Sequence, residues 1–371
     1  MSLQFIFGGS GKGKSYYLQH FISKEAKLFP ERQYLFVVPE QFTMQTQKEL
    51  IAISDEKGIM NIDVQSFLRL AFRVLAETGT ASMPILDDMG KTMILKKVLA
   101  NLEEELTYFG RNIHKKGYVL EIKSFVSELM QYGADETVVE EMIQKADRQP
   151  VLRQKLTDIK KIYKAFVEYL SQNYITSEEI LTVLTKVTKE SEILKDSVVC
   201  LDGFTGFTPT QYELLREILG VCEDMYITVT TDRTGHRDRV FSMSADTIRR
   251  LTQMAGERGV LVEEPVITGA GREKIPYRVA KNEELAFMEE RLFTHGFKPW
   301  EKVPESIRIT MCHRERDEVS YVARRIYWLM KEEGYEPEDI AVVTADEAAY
   351  EPLLVQEFEK LGIRYFLDST K

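Results

Sequence analysis

Eight residues, Gly8 to Ser15, read GGSGKGKS and set Gly8, Gly13, Lys14 and Ser15 in the spacing G-x-x-x-x-G-K-S. Glycine, lysine and serine are ordinary residues, yet that spacing arises by chance in roughly 1% of chains this long. The chemistry it serves is phosphate binding. Backbone N–H groups along Gly8, Gly9, Ser10, Gly11, Lys12 and Gly13 would face an anion. Lys14 would reach the outer phosphates and the Ser15 hydroxyl would sit on Mg²⁺. A second group lies far downstream. Asp202 follows the apolar run SVVCL at 197–201, and a carboxylate at the carboxyl end of a buried parallel strand stands where it can help hold the same Mg²⁺.

These groups work only if a strand, a tight loop and a helix hold them. Leu3 to Phe7 reads as a short buried strand, and Ser15 to Phe29 carries Tyr17, Leu18, Phe21, Ile22 and Leu28 at helical spacing. A strand at Tyr34 to Val38, the segment PEQFT (39–43) and a periodic helix from Met44 to Ile53 come next. A third strand, Ile62 to Val64, leads into QSFLRLAFRVL, with Phe67, Leu70, Ala71, Val74 and Leu75 on one face. This βαβαβα order predicts a parallel sheet covered on both faces.

Between Pro84 and Leu194 helical periodicity dominates, as in Leu152, Leu156, Ile159, Tyr163, Phe166 and Leu170, so an all-helical insertion is expected. Strand character returns at Ser197 to Leu201, followed by a helix from Pro209 to Leu219 and a strand from Met225 to Thr230. A mixed stretch, Arg239 to Val303, reads as the end of the first core plus a linker. A second β-α-β-α-β run follows. Its expected strands are Ile307 to Met311, Asp339 to Thr344 and Ile363 to Asp368; its helices are Asp317 to Glu333, with Val319, Val322, Ile326 and Met330 inward, and Pro352 to Leu361. The last strand has no covering helix after it, so the sequence is expected to be part of a longer chain.

The expected organisation is an α/β protein with parallel sheets, a phosphate loop and a helical insertion. Residues 1–83 form the first part of the first core, 84–194 the helical insertion, 195–275 the rest of that core, and 276–371 a linker and the start of a second core.

Composition narrows the function classes. The chain has 371 residues, 44% of them hydrophobic, which suits two or three folded domains. It contains no apolar run of eighteen residues and no basic-then-apolar leader, so no membrane association and a cytoplasmic location are expected. Cys200, Cys222 and Cys312 are widely spaced and read as reduced thiols. A net charge of −10 argues against a broadly basic protein that coats nucleic acid. The local basic stretches at Arg111 to Lys116 and Lys155 to Lys164 read as solvated helix faces before phosphate tracks.

Two α/β cores, the first interrupted by helices and carrying the phosphate loop near its start, resemble superfamily 1 helicases, which implies P-loop, RecA-like cores. VVPEQFT (37–43), QSFLRLAFRVL (65–75), KLTDIKKIYKAFVEYL (155–170), LDGFTGFTPTQYELL (201–215), DEVSYVARRI (317–326), DIAVVTADEAAYEPLL (339–354) and IRYFLDSTK (363–371) are similar, in order, to the AddB family, the B subunits of the AddAB (RexAB) helicase–nucleases. The resemblance spans essentially the whole chain and implies the N-terminal, helicase-like part of such a protein. It implies ATP and Mg²⁺ at Gly8 to Ser15 and Asp202. A single-strand DNA contact is implied around Pro39, Gln41 and Thr43. It further implies a heterodimer with a larger, AddA-like helicase–nuclease subunit acting on duplex ends and single strands, a nuclease domain and iron–sulfur cluster beyond Lys371, and a part in recognising the recombination hotspot sequence. Cys200, Cys222 and Cys312 are not the cluster's ligands in this reading.

The sequence departs from a working motor. Where such helicases follow the metal-side Asp with an acidic base, this chain has Gly203; Ala345 and Asp346 stand where an arginine is expected. No room for an adenine-reading glutamine precedes Gly8. No catalytic residue is assigned. Nucleotide binding without efficient hydrolysis is the leading expectation. Alternatives are an autonomous ATP-driven helicase and a P-loop protein with a structural nucleotide. Phe204 and Phe207 would either stack single-stranded bases or serve as core and helix-capping hydrophobes. Arg314 and Arg316 would form surface ion pairs or touch phosphate.

Overall fold

The computed structural model describes the chain apart from residues 55–60, 81–84, 111–112, 114, 133, 135, 177–178, 232–238, 270–276, 295, 297 and 368–371. Two compact units divide it, Met1–Lys298 and Pro299–Lys371. The expected boundaries at 83 to 84 and 275 to 276 fall at or within segments outside the described residues.

The first unit begins β1 (Ser2–Gly8), α1 (Lys14–Leu28), β2 (Tyr34–Val37), α2 (Thr43–Ile53), β3 (Ile62–Gln65) and α3 (Phe67–Glu77). It continues through β4 (Ile85–Leu86), α4 (Asp88–Leu102), α5 (Lys116–Gln131), α6 (Glu136–Lys145), α7 (Pro150–Asn173), β5 (Ile175–Thr176) and α8 (Ile180–Val187). It then returns to the sheet with β6 (Val198–Leu201), α9 (Pro209–Ile218), β7 (Asp224–Thr230), α10 (Ser242–Arg258), β8 (Leu261–Val262), β9 (Val266–Ile267) and α11 (Glu283–Arg291). The second unit holds α12 (Glu315–Glu332) and α13 (Glu347–Leu361).

Strand order in the main sheet is β3-β2-β6-β7-β1-β8, with β9 also paired to β1. All of these pairings are parallel. Because side chains alternate across a strand, β2 sends Leu35 and Val37 to one face and Tyr34 and Phe36 to the other. Leu35 and Val37 join Leu3, Phe5, Val199, Leu201, Met225 and Ile227 beneath α3, α8, α9 and α10. Tyr34 and Phe36 join Ile6, Val64 and Cys200 beneath α1 and α2. Burial on both faces explains why these strands read as unbroken apolar runs.

The register pairs Val37 with both Gln65 and Leu201, and Gly8 with Thr230. PEQFT, the Asp202 turn and the phosphate loop therefore leave the sheet along a single edge. That edge is where ligands bind in open parallel sheets.

The helical stretch has its own core, built from α4, α5, α6 and α7 around Leu95, Leu99, Phe109, Ile122, Ile162 and Phe166. At its centre Asp158 is fully buried. Its Oδ1 accepts from the Thr107 backbone N–H and hydroxyl (both 3.1 Å), and its Oδ2 from the N–H groups of Tyr108 (2.7 Å) and Phe109 (3.0 Å). Two details differ from the expected all-helical content. A short parallel pair joins β4 to β5, and α8 buries Ile180, Leu184 and Val187 against the sheet core. The basic face of α7 is met by acids, Lys155 by Glu121, Lys160 by Glu140 and Lys164 by Glu136, which is a solvated ion-pair surface.

Two further expectations change. The stretch read as mixed contains the 17-residue α10, whose sparse buried set, Thr247, Leu251, Met254 and Ala255, leaves little apolar periodicity to see. In the second unit, α12 and α13 pack through Val319, Ala323, Ile326, Leu354 and Phe358, with Val322 and Met330 partly buried against them. The three expected strands do not form there among the described residues. Ile309, Met311, Val343 and Phe366 are each at least 90% exposed. Alternating apolar residues mark a sequence suited to pleating, but a strand exists only where a neighbour satisfies its N–H and C=O groups.

Candidate nucleotide-binding site

The loop after β1 is shaped by its glycines. Gly13 is the N-cap of α1 in the left-handed conformation (φ 80) and supplies no side-chain acceptor. The first N–H groups of α1 thus have no capping side chain, and with the positive end of the helix dipole they suit an anion. Gly8 is required by close approach. A Cβ there would lie 2.3 Å from Thr268 Oγ1, because Thr268 donates its backbone N–H (2.8 Å) and its hydroxyl (3.1 Å) to Phe7 O. The chain after β9 is thereby tied beside the loop.

Lys14 and Ser15 open α1. The Lys14 ammonium spans the loop and donates to Gly9 O at 2.9 Å. Burial lowers its pKa from the ordinary 10.5; Asp202 opposes that shift, and the charges of Arg278 and Lys12 reinforce it. Ser15 donates to Asp202 Oδ1 at 3.0 Å. Thr228, buried in β7, donates to the same oxygen at 2.6 Å, while Asp202 anchors its own backbone N–H on Val37 O at 3.1 Å. Asp202 is 5% exposed, and among the described residues its Oδ2 accepts no side-chain bond. Three cations, a hydroxyl and one half-used carboxylate make a donor set that suits a polyphosphate with a divalent cation.

The sheet brings Gly8, Gly9, Ser10, Gly11, Lys12, Gly13, Lys14 and Ser15 together with Asp202. It also carries the remaining candidates along the same edge. Pro39 is half-buried and Gln41 exposed. Thr43 is buried, its hydroxyl donating to Glu40 O at 3.0 Å. Phe204 is half-buried in an aromatic cluster, its ring centroid 5.3 Å from Phe67 and 5.1 Å from Phe207. Three contributors escaped sequence reasoning. Thr228 meets Asp202 through strand register, Thr268 lies against Gly8 where the chain returns after β9, and Arg278 acts on Lys14 through its charge; none carries a local motif.

Gly203 has φ +78, and the space beside it is bounded by Pro39 and Phe42 at ordinary contact distance. The turn that carries Asp202 therefore uses a backbone conformation that disfavours any L side chain. In the second unit, Asp346 caps α13 by accepting from the Ala349 N–H at 3.0 Å. No helix among the described residues is long and apolar enough to cross a membrane.

Comparison with known proteins adds independent findings. Residues 5–289 match the family model described as ADDB, N-terminal. The chain is 39% identical to the B subunit of the ATP-dependent helicase/deoxyribonuclease of Lachnoclostridium phytofermentans, over 100% of this chain and 33% of the relative. Identity to the proteins of the same description is 32% in Clostridium tetani (99% and 32% covered) and 33% in Desulforudis audaxviator (100% and 32% covered). The chain spans about a third of the length of these curated relatives.

Proposed function

The chain belongs to the ADDB N-terminal family, and from that premise we propose that it is the helicase-like part of the B subunit of an ATP-dependent helicase–nuclease that processes double-strand DNA breaks. Its phosphate loop holds ATP, and Ser15 and Asp202 hold the accompanying Mg²⁺. Bound Mg²⁺ would neutralise phosphate charge. The chain's own residues position it. Thr228 and Ser15 orient the Asp202 carboxylate, Lys14 leaves Gly9 O to meet the outer phosphates, and Arg278 and Lys12 add positive charge around them.

The single observation that carries this reading is the bond from Ser15 to Asp202, which joins two motifs 187 residues apart. Efficient hydrolysis is not expected, because Gly203 offers no carboxylate to orient an attacking water and its backbone disfavours a side chain. Single-stranded DNA lies along the same sheet edge, by Pro39, Gln41, Thr43 and Phe204, and a larger AddA-like partner supplies the motor. Cytoplasmic location, duplex-end binding and an iron–sulfur cluster outside this sequence belong to the same proposal.

Titration of the chain with MgATP tests it, with Lys14→Ala losing about 100-fold in affinity while binding of a single-stranded oligonucleotide changes less than two-fold. DNA-stimulated turnover of several ATP per second by the chain alone would instead establish an autonomous motor.

A further inference from the structure

We propose that the base of the nucleotide rests on the paired rings of Tyr16 and His20, an inference that depends on the nucleotide reading above. Tyr16 directly follows Ser15. Helix α1 turns Leu18, Ile22 and Ala26 into the core and buries Gln19 and Ser23, which leaves Tyr16 and His20, one turn apart, on its outer side. Their ring centroids are 3.8 Å apart with 36° between the planes, and Tyr16 is 66% exposed. His20 Nδ1 lies 2.9 Å from Tyr16 O. A carbonyl only accepts, so Nδ1 carries the proton, and this bond fixes the imidazole against the phenol ring.

The neighbouring pair shows the contrast. Tyr17 and Phe21 have the same spacing and lie parallel, with centroids 6.2 Å apart, but Phe21 packs edge-on against Tyr226 of β7. One aromatic pair is absorbed by the sheet and the other faces out beside the phosphate loop. By helix rise, Tyr16 and His20 lie roughly 3 and 9 Å along the axis from Lys14, an interval that a ribose bridges. Every base offers a π-face to such a platform. The platform would supply a base contact on the same helix that opens at the phosphate loop.

Calorimetric titration of the chain with MgATP and with magnesium tripolyphosphate separates base from phosphate. Tyr16→Ala is expected to lower ATP affinity about 10-fold and tripolyphosphate affinity less than two-fold, with Tyr16→Phe close to wild type for both. His20→Ala should give a smaller loss, for ATP alone. Equal losses for both ligands, no loss for ATP, or equal wild-type affinity for the two ligands would overturn the platform while leaving the phosphate site standing. Wild-type chain that binds neither ligand would overturn the nucleotide reading, and the platform with it.

Discussion

Two buried aspartates sit in two regions of the first unit and do opposite things with the same functional group. Asp158, in the helical core, spends both oxygens on four donors from Thr107, Tyr108 and Phe109. Asp202, at the sheet edge, gathers Ser15 and Thr228 onto Oδ1 and keeps Oδ2 clear of side chains among the described residues. A saturated carboxylate locks a turn. A half-used one, next to Lys14, is available to an ion. Burial alone separates neither case; the count and placement of donors does.

Substitution should separate the two sharply. Asp158→Ala strands three backbone N–H groups and is expected to cost about 3–5 kcal/mol, read as a urea midpoint, with nucleotide affinity per folded molecule unchanged. Asp202→Asn should reverse the pattern, with a Mg²⁺-dependent loss of ATP affinity of about 10-fold or more and a stability change near 1 kcal/mol. If Asp158→Ala proved the milder change in stability, the contrast would collapse. Next in size, Gly8→Ala should cost about 1–3 kcal/mol from overpacking against Thr268. Thr268→Ala in the same chain should recover much of that cost, a coupling measured by a double-mutant cycle.

A pH titration probes the cation side of the edge. With its pKa below 10.5 in the free chain, Lys14 binds fewer protons folded than unfolded between the lowered value and 10.5, so it contributes a rise in stability with pH across that window. Phosphate prefers the charged amine. ATP affinity should therefore hold steady at lower pH and fall as pH climbs through the lowered value, a fall that Lys14→Ala abolishes. The smallest effect expected is Arg278→Ala, a few-fold loss of ATP affinity that shifts the alkaline limb towards 10.5, because one of the charges opposing Lys14 is gone.

Much of the first unit was legible in the sequence because its information is local. A doubly buried strand is a continuous apolar run, and the loop motif occupies eight consecutive residues. The proximity of Ser15 and Asp202 followed from the rule that parallel strands deliver their carboxyl ends to one edge. Thr228, Thr268 and Arg278 were not legible: a threonine inside a strand, as Thr228 is in β7, reads as ordinary β propensity until the register says what stands beside it, and Thr268 and Arg278 follow β9 with no motif of their own. In the second unit the reading went too far. Ile309, Val343 and Phe366 have the alternation of strand residues, but no pairing partner stands beside them among the described residues, and alternation cannot supply one. Asp158 was hidden differently, as a charged residue in a helix whose other charged positions face solvent.

The place of β1 in the sheet has a consequence for how the molecule comes into being. Its partners are β7, β8 and β9, so Ser2 pairs with Asp224 and Leu261 while Ile6 pairs with Val266. The neighbours β2 and β3 can meet within a few dozen residues of synthesis, whereas β1 must wait for more than two hundred. At about 5–20 residues per second, the phosphate loop is synthesised roughly 10–50 s before the strands that shape it. The loop motif is thus made well before it can become a site, and Leu3, Phe5 and Ile6 are what a chaperone would have to shield in the meantime.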